Sequence, residues 1–542
     1  MVEQATCVTR KKPTGRAFYE SIGKPSVVLA PMVDQSEFIW RVLTRSFMKP
    51  GHAGDLLAYS PMLHARLMAQ TADYRDKHFQ PTLAGLKDLP QFGLTYKERL
   101  DGRRDVDRPL IVQFCANDPD VLLEAARYVQ PFCDAVDLNL GCPQGIARSG
   151  HYGAFLQEDQ DLIFRLISNL RDNLDIPVTA KIRILETKEK TLAYARNVLA
   201  AGASIITVHG RQRHQKGHET GLADWSAIRH LRDNLPPETV IFANGNILRP
   251  EDIAECRKAT GADAVMSAEG NLYDPTIFGP HPPEQINDKE YFVGRDGRGG
   301  YRMDFVFRRY LSLIYEYVLE IPEPERSPLF SLSDPHETMT KRAREEHLTP
   351  PPAKKQKTGS EKKRKEKKSK DGSKRASGPN LGAMQPHLFH MLRPLIAIHT
   401  EVRDVLATSR AGNMETFELV LKLTEAAVKE GLLEYEADPT KFEIPKSLLD
   451  QKIDLDNFES SERAVRLCKR PWFVCQSYVR PLPKEAIEKG SLRLSKKEIQ
   501  RREEMKSKQA DESTNSVGSR PAQDLEAGLE KDEVAAPTMV CG

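Results

Sequence analysis

The residues Ala135-Val-Asp-Leu-Asn-Leu-Gly-Cys-Pro-Gln-Gly145 join a strand to a loop that carries a thiol. Residues 135–140 are apolar and alternating enough to predict a short buried strand, which Gly141-Cys142-Pro143 ends abruptly. A buried cysteine is more often a packing residue. Here the glycine and proline neighbours, with Asn139 just upstream, favour a thiol that meets a ligand. In a parallel α/β fold, the loops after strands carry the chemistry.

Short apolar runs alternate with amphipathic segments from Val27 onward. Eight such units predict an α/β chain with a (β/α)8 TIM barrel over 26–285, rather than an open doubly wound sheet. Against the open sheet, the first strand leads into Ala30-Pro-Met-Val-Asp-Gln35 and not into a glycine-rich dinucleotide fingerprint. The predicted strands are 27–30, 56–59, 110–114, 135–139, 178–182, 205–209, 240–244 and 264–267, and the predicted helices include 37–47, 118–129, 160–173, 188–201, 225–234 and 250–258.

The remainder of the chain has a different pattern. Helical spacing over 303–319, 385–406 and 414–429 predicts a C-terminal helical bundle over 286–436. A Pro-, Lys- and Ser-rich insertion, about 322–379, interrupts it and cannot build a core. Residues 437–485 form a C-terminal extension, while 1–25 and 486–542 are predicted to be disordered. The connection 71–107 is longer than a βα loop, which fits either a lid or a disordered insertion.

Composition limits the classes of protein that this chain can be. Its eight cysteines include no CxxC pair, which favours a reducing compartment, and no apolar run approaches membrane-spanning length. Residues 353–375 hold twelve Lys or Arg against three Asp or Glu, a local +9 that leaves −6 for the rest of a chain whose net charge is +3. Attraction to a polyanion must therefore come from local patches.

Polar or small residues stand at the predicted strand exits, among them Gln113, Lys181 and His209. Exits in register converge on one cavity. Asn244-Gly245-Asn246 and Ala268-Glu269-Gly270 occupy the phosphate position after strands seven and eight, where backbone N–H groups can face a phosphate. No cluster has metal-ligand spacing, so we expect no catalytic metal. No Ser/His/Asp grouping indicates a hydrolase. A phosphate end, a lysine, a histidine and a loop cysteine suit a flavin.

Seven segments share a recognisable pattern: Leu29-Ala-Pro-Met-Val-Asp34, Tyr59-Ser-Pro-Met-Leu-His64, Val112-Gln-Phe114, Asp137-Leu-Asn-Leu-Gly-Cys-Pro143, Lys181-Ile-Arg183, Thr207-Val-His-Gly-Arg211 and Phe242-Ala-Asn-Gly-Asn246. Together they resemble the tRNA-dihydrouridine synthase family over about 27–278. The Tyr59-Ser-Pro-Met-Leu-His64 and Ser267-Ala-Glu-Gly270 motifs are similar to those of the eukaryotic branch that acts on D-loop positions sixteen and seventeen.

The resemblance implies an FMN-dependent barrel, NADPH or NADH as reductant, and a helical domain that binds tRNA. Cys142 is then the general acid that gives a proton to C5 of a flipped uracil, since an ordinary thiol, with a pKa of about 8.5, is protonated near neutrality. Asn139 and Arg211 contact the uracil or the cofactor. The residues expected around FMN are Pro31, Met32, Val33, Gln113, Lys181, His209, Asn244, Gly245, Asn246, Ala268 and Glu269.

Some features depart from the family pattern or leave the interpretation open. Bacterial members have Gly-Arg where this chain has Ala268-Glu269, so the flavin phosphate must rest on backbone groups. Arg302, Arg308, Arg309, Arg393 and Arg403 are candidates for tRNA phosphate contacts.

The Lys-rich insertion fits an arm that raises tRNA affinity, a nuclear localisation signal or, as a third alternative, a solvated linker. We expect a monomer in the cytoplasm, the nucleus or both, without a membrane anchor. The alternative functions are an FMN barrel acting on a small molecule and an inactive RNA-binding protein. The helical annex disfavours the first, and an intact Cys142, Lys181 and His209 disfavour the second.

Overall fold

A closed parallel barrel forms the first half of the protein, whose computed structural model describes residues 12–83, 85, 98–332, 334, 378–445, 447 and 461–488. Eight strands pair in sequence and the last pairs with the first, so the predicted (β/α)8 barrel is confirmed. A two-residue strand, Leu63–His64, adds to the third strand. The barrel strands are β1 (Val27–Leu29), β2 (Leu56–Tyr59), β3 (Leu110–Cys115), β4 (Ala135–Leu140), β5 (Val178–Arg183), β6 (Ile205–His209), β7 (Val240–Asn244) and β8 (Ala264–Ser267).

Helices follow the strands and cover the outside of the barrel. Four of them begin where the side chain of Asp118, Asp159, Thr187 or Asp224 accepts a hydrogen bond from a first-turn N–H, which satisfies a donor that the helix itself leaves unpaired. Among the described residues of this half, the helices are α1 (Gly15–Ser21), α2 (Phe38–Arg45), α3 (Ala65–Gln70), α4 (Ala72–His78), α5 (Pro119–Val129), α6 (Gly145–Ser149), α7 (Gln160–Asn173), α8 (Lys188–Ala200), α9 (Trp225–Asn234), α10 (Pro250–Thr260) and α11 (Glu269–Tyr273).

Part of the N-terminal segment predicted to be disordered is folded. Helix α1 buries Phe18 and Tyr19, and Tyr19 packs against Phe242 of β7 with ring centroids 5.8 Å apart. Arg16 pairs with Asp263 at 2.6 Å, just before β8. The prediction was wrong for 12–25 because two aromatic side chains suffice to hold a short helix on the barrel.

The long connection 71–107 is anchored at both ends. Arg41 of α2 is fully buried and bonds to Asp101 at 2.9 Å and to Asp107 at 2.6 Å. Asp101 also accepts a hydrogen bond from the backbone N–H of Gln80 at 2.7 Å. These contacts place the described ends of the connection in the core. Its central residues, on which the lid hypothesis depends, lie outside the described residues.

The second half begins with a hairpin that the periodicity did not predict. Strands β9 (Tyr291–Val293) and β10 (Gly299–Tyr301) are antiparallel, and the turn between them contains Asp296-Gly297, with Gly297 at φ +78°. An Asp-Gly pair between apolar residues is itself a hairpin signal. The helices that follow within the described ranges are α12 (Met303–Leu313), continued by a π-helical turn at Ile314–Leu319, α13 (Pro379–Gly382), α14 (Met384–Met391), α15 (Arg393–Ile398), α16 (Thr400–Thr408), α17 (Met414–Ala437), α18 (Glu462–Cys468) and α19 (Pro483–Glu488).

The helix predicted over 385–406 is instead three helices, α14 to α16. The first break falls at Leu392, before Arg393 and Pro394, because proline lacks the N–H that would continue the helix and its ring crowds the preceding turn. The second falls at His399. The predicted apolar stripe is nonetheless buried, including Leu395 and Val402. Periodicity gave the buried face and missed the breaks.

Helix α14 joins the helical half to the barrel. The His387 ring lies flat on Trp40 of α2, with centroids 3.8 Å apart and planes 4° apart, and its Nε2 lies 3.1 Å from the Glu37 carboxylate. Asn380 accepts a hydrogen bond from the backbone N–H of Ile39 at 2.9 Å. His387 and Glu37 are both fully buried. The two halves therefore share one continuous core.

Residues 470–488 form a segment that we call the C-terminal strap. Phe473 and Cys475 bind the helical half, since the N–H of Met303 donates to the Phe473 carbonyl at 3.0 Å and the N–H of Cys475 donates to the Tyr301 carbonyl at 2.9 Å. The Ser477 hydroxyl then donates to the carbonyl of Leu248, in the loop after β7. The strap ends in α19, which packs beside the 3₁₀ turn Gly217–Glu219 after β6. It thus crosses from the helical half to the carboxyl ends of the barrel strands.

The Lys-rich insertion begins later than predicted. Residues 322–332 and 334 lie on the helical half, where Arg326 pairs with Glu418 at 2.9 Å and Leu329 is buried. Residues 353–375, which hold the excess of Lys and Arg, lie outside the described residues. No helix within the described ranges is long and apolar enough to cross a membrane.

Candidate active site

A cavity at the carboxyl ends of the barrel strands brings together nine of the fourteen residues predicted to form the site. These nine are Pro31, Val33, Gln113, Asn139, Cys142, Lys181, His209, Asn244 and Ala268. Ala30, Met62, Gly141, Pro143 and Arg183 complete the lining.

Strand register explains this convergence. In neighbouring strands, Asn139 is paired with Lys181, Arg183 with His209, and His209 with Asn244. Side chains two residues apart point to the same face of a strand, so the inward positions continue below the cavity through Asp137 and Thr179. The site is thus one layer of the barrel interior.

The Cys142 loop is held from two sides. The side-chain oxygen of Asn139 accepts hydrogen bonds from the backbone N–H groups of Gly141 at 3.1 Å and Cys142 at 2.9 Å. The carbonyl of Cys142 accepts one from the N–H of Ala154 at 3.0 Å. Gly153, at φ +65°, passes so close that a Cβ there would lie 2.8 Å from that carbonyl. The backbone of Cys142 is therefore fixed by the surrounding chain.

A buried chain of hydrogen bonds orients the amides below the thiol. Asn139 Nδ2 donates to Gln113 Oε1, and Gln113 Nε2 donates to Asp137, each at 2.8 Å, while the Thr179 hydroxyl donates to the other Asp137 oxygen at 2.6 Å. Burial raises the pKa of Asp137 to about 6, against the opposing hydrogen bonds from Thr179 and Gln113. The chain fixes which end of each amide faces which neighbour.

His209 is neutral, and one of its two tautomers is selected. Burial, followed by the charges of Arg183, Lys181 and Arg211, lowers the pKa of His209 well below its ordinary value. Its Nε2 lies 2.9 Å from Arg211 Nη1. Because a guanidinium can only donate, Nε2 must accept, so the ring proton is on Nδ1. His209 therefore offers an N–H donor and no charge.

Positive charge is concentrated at the cavity. Lys181 and Arg183 line it, and Arg211 lies directly behind His209. Arg183 donates to the carbonyls of Gly141 at 2.8 Å and Gln212 at 3.0 Å, which ties the Cys142 loop to the loop after β6. Burial, then the charge of Arg183, lowers the pKa of Arg211 to about 10, so it remains a cation at neutral pH. Such a field suits an anionic ligand.

The loop after β7 contains an unsatisfied acceptor and a close backbone approach. Asn244 Nδ2 donates to the Met266 carbonyl at 3.0 Å, whereas its buried Oδ1 has no hydrogen-bond partner among the described residues. An unsatisfied buried oxygen that faces a cavity indicates a ligand donor. Gly245, at φ +114°, leaves no room for a Cβ, which would lie 2.6 Å from Ala223.

Five predicted site residues do not line the cavity. Met32 is buried, and Gly245 and Asn246 form the loop after β7. Arg211 donates to the Gly221 carbonyl at 3.0 Å and to Asn246 at 2.9 Å, which holds two loops together. Glu269 pairs with Arg480 of the C-terminal strap at 2.6 Å.

Sequence reasoning missed several contributors. Asp137 and Met62 stood within the quoted motifs, and the inward register of β4 could have identified Asp137. Nothing in the spacing connected Arg480 with residue 269, because the two are 211 positions apart. Within the described residues, no group of three or more His, Cys, Asp or Glu side chains could hold a metal ion.

The arginines predicted to contact tRNA have different environments. Arg302 is fully buried against Asp304, at 2.6 Å, so its prediction as a phosphate contact was wrong. Arg308 pairs with Glu425, and Arg309 donates to the Ser46 hydroxyl at 2.7 Å. Arg393 and Arg403 are exposed. These two remain candidates.

Comparison with known proteins identifies one family. The sequence model described as Dihydrouridine synthase (Dus) matches residues 28–317, a span that covers the barrel and reaches helix α12.

Curated relatives match a longer part of the chain. It is 42% identical over 474 residues to the tRNA-dihydrouridine(16/17) synthase (NAD(P)(+)) of Saccharomyces cerevisiae, covering 87% of this chain and 88% of that protein. It is 41% identical over 473 residues to the enzyme of the same name from Schizosaccharomyces pombe, covering 87% and 92%. A human tRNA-dihydrouridine(20a/20b) synthase-like protein is 31% identical over 283 residues, 51% of this chain and 77% of the relative.

Proposed function

The chain belongs to the dihydrouridine synthase family, and on that premise we propose that it is an FMN-dependent tRNA-dihydrouridine synthase. It would reduce the 5,6 double bond of uridines 16 and 17 in the tRNA D-loop with NADPH or NADH. The observation that carries the proposal is the cavity where the Cys142 thiol shares one lining with Lys181 and His209. The names of the two yeast relatives supply the substrate, the positions and the reductant.

The residues of the cavity fit FMN. Its cationic side, from Lys181 to Arg211, suits a phosphate and a reduced, anionic ring. The unsatisfied Oδ1 of Asn244 can accept from a bound polar group. At Gly245 the space of a Cβ is taken by Ala223, so this glycine packs the loop after β7 against the loop after β6.

Each residue would have a distinct part in holding the cofactor. Lys181 would place its ammonium group near the ring edge where negative charge gathers, and Gln113, fixed by Asp137, would bond to the pyrimidine edge. His209 would donate from Nδ1. Bound FMN would supply the hydride for C6 of the uracil, after its own reduction by NAD(P)H.

Cys142 would donate the proton to C5 of the uracil. Its backbone is fixed by Asn139 and by Ala154, so the thiol is presented to the cavity without reorganisation. A positioned acid of this kind speeds a reaction by about 10² to 10⁴-fold. A contact between Asn139 or Arg211 and the uracil stays a prediction, and in this proposal both residues act mainly by holding loops.

The target uridine would have to leave the tRNA core to reach Cys142, since the cavity lies within the barrel mouth. Arg393 and Arg403 would contact tRNA phosphates and so position the substrate without reading its sequence.

We further propose that the protein acts as a monomer in the cytoplasm, the nucleus or both. The Lys-rich residues 353–375 support nuclear import or tRNA attraction.

Purified protein and unmodified tRNA provide the test. The full chain should carry bound FMN, released on denaturation, and should form dihydrouridine in the presence of NAD(P)H. A preparation that binds no flavin under any loading condition would refute the proposal. Flavin binding without dihydrouridine would instead favour an oxidoreductase with a small-molecule substrate.

Salt dependence separates the two functions proposed for residues 353–375. If they attract tRNA, their deletion should weaken tRNA binding and flatten the dependence of affinity on salt concentration. If they serve import alone, binding should be unchanged and the protein should be lost from the nucleus. The deletion leaves the described helical half intact, since the nearest described residues are 334 and 378.

A further inference from the structure

The C-terminal strap brings a cation to the loop after β8. Arg480 donates from Nε to the Glu269 carboxylate at 2.6 Å. Glu269 directly follows Ala268, which lines the cavity. Arg480 bonds to Glu269 through Nε. Its Nη1 and Nη2 groups can therefore donate to a ligand. A residue 211 positions away in the chain thus reaches the edge of the site.

Contacts on either side of the chain fix the C-terminal strap near Arg480. Arg393 of α15 stacks on the ring of Tyr478, with the guanidinium carbon 3.7 Å from the ring centroid, and Tyr273 packs on the same ring at 5.8 Å. One residue earlier, Ser477 bonds to the Leu248 carbonyl after β7. Arg480 is therefore fixed between the loops after β7 and β8. In TIM barrels this is the usual position of a phosphate.

Positive charge gathers at this end of the site. Burial lowers the pKa of Arg211, and the charges of Arg183 and Arg480 lower it further, whereas the charge of Glu269 raises it. Glu269 also raises the pKa of Arg480, against the effect of burial. Arg211 and Arg480 therefore lie near one shared carboxylate, and a bound phosphate would place further negative charge beside both.

We propose that Arg480 binds the phosphate of FMN, and that Glu269 positions Arg480 instead of touching the cofactor. The inference rests on the proposed function, because it assumes that FMN occupies the cavity. It makes the C-terminal strap part of the cofactor site: the barrel supplies the ring contacts and the strap supplies a phosphate contact. It also changes the predicted role of Glu269, whose carboxylate would repel a phosphate and instead orients the guanidinium.

Paired titrations with FMN and riboflavin test this directly, since riboflavin lacks the phosphate and is otherwise the same ligand. Both flavins are titrated into the full chain after removal of flavin, and binding is followed by quenching of flavin fluorescence. The variants are Arg480→Gln, which removes the charge, and Arg480→Lys, which keeps it. Arg229→Gln is the matched control, because Arg229 is an exposed helix arginine paired with a neighbouring aspartate, Asp233, at 2.9 Å.

Arg480→Gln should weaken FMN binding about tenfold or more and leave riboflavin binding unchanged. Arg480→Lys should recover most of the FMN affinity, and Arg229→Gln should change neither ligand. An equal loss for both flavins would mean that Arg480 only supports the fold, and it would overturn the inference. An unchanged FMN affinity with weakened tRNA binding would also overturn it, by assigning Arg480 to an RNA phosphate.

The wild-type chain separates failure of this inference from failure of the proposed function. Wild-type protein that binds neither flavin refutes the proposed function, and the inference with it. Wild-type protein that binds FMN more tightly than riboflavin, with no dependence on Arg480, leaves the function intact and refutes the inference alone. Thermal unfolding of each variant shows whether a loss of affinity reflects unfolding.

Discussion

The barrel and the C-terminal half contribute to the same face of the protein in different ways. In the barrel, strand register places the site residues, so that Lys181, His209 and Asn244 are neighbours because their strands are. The C-terminal half reaches that face through single contacts, notably His387 with Glu37 and Arg480 with Glu269. Strand register positions all the site residues of one barrel layer together, whereas a single substitution can remove one long-range pair. Substitutions can therefore separate the chemistry of the barrel site from the contacts that hold the C-terminal half on the barrel.

The largest effect is expected at Cys142. Cys142→Ala should lower dihydrouridine formation by about a thousandfold, because the proton donor is lost, while bound flavin is retained. The matched control is Cys256→Ala, since Cys256 is fully buried in α10 and away from the cavity. Turnover is measured on unmodified tRNA with a saturating reductant. Equal activity in the two variants would remove Cys142 from the mechanism.

The next largest effect is expected on stability, at the contact of His387 with the barrel. His387→Ala should lower the free energy of unfolding by about 3 kcal/mol, because it removes the stack on Trp40 and leaves the Glu37 carboxylate buried without its partner. Chemical denaturation measures the loss. His52→Ala is the control, since His52 pairs with Asp55 at the surface and should change stability little. Similar losses in both variants would mean that the buried contact does not hold the halves together.

The pH dependence of stability tests the buried network of the barrel. Asp137 has a pKa of about 6 when folded and 3.8 when unfolded, so between these values the folded state binds more protons. The free energy of unfolding of the wild-type chain should therefore fall as pH rises from 4 to 6. In Asp137→Asn, which cannot titrate at this position, the fall should be smaller by about 2 kcal/mol. Denaturation curves across this range measure the difference. Parallel curves for the two proteins would contradict the assignment.

We expect the smallest change in turnover from a substitution that displaces the Cys142 loop. Gly153→Ala should slow turnover about tenfold without releasing flavin, because the added Cβ would lie 2.8 Å from the Cys142 carbonyl and displace the thiol. Gly217→Ala is the control. Gly217 also has a positive φ, +57°, but has open space around it. Equal turnover in the two variants would mean that backbone strain, and not displacement of Cys142, explains any change.

The sequence predicted the barrel well because its signals are local. Apolar runs repeat with each βα unit, so the predicted strand bounds match the structure for β2, β6, β7 and β8 and differ by one residue for the others. Strand order in a barrel follows chain order. Naming a residue at a strand end therefore placed it in the site, as it did for Gln113 and Asn244.

The remainder was not predictable from spacing. The Arg480 contact with Glu269 depends on how a distant segment crosses the barrel, and no periodicity encodes that path. Arg302 was assigned to the surface because arginine usually lies there, yet Asp304 two residues away allows it to be buried. Arg211 donates to the Gly221 carbonyl and to Asn246, which belong to loops that meet only in the fold, so spacing could not predict that it holds them together. Its predicted contact with the uracil or the cofactor stays a prediction.

Position-resolved mapping of dihydrouridine tests the proposed activity most directly. Unmodified tRNA is incubated with the full chain, FMN and NADPH or NADH, and each reduced uridine is located by mass spectrometry of nuclease fragments. We expect dihydrouridine at positions 16 and 17 with the wild-type chain and almost none with Cys142→Ala. Flavin-loaded wild-type protein that leaves every uridine of the D-loop unreduced would contradict it.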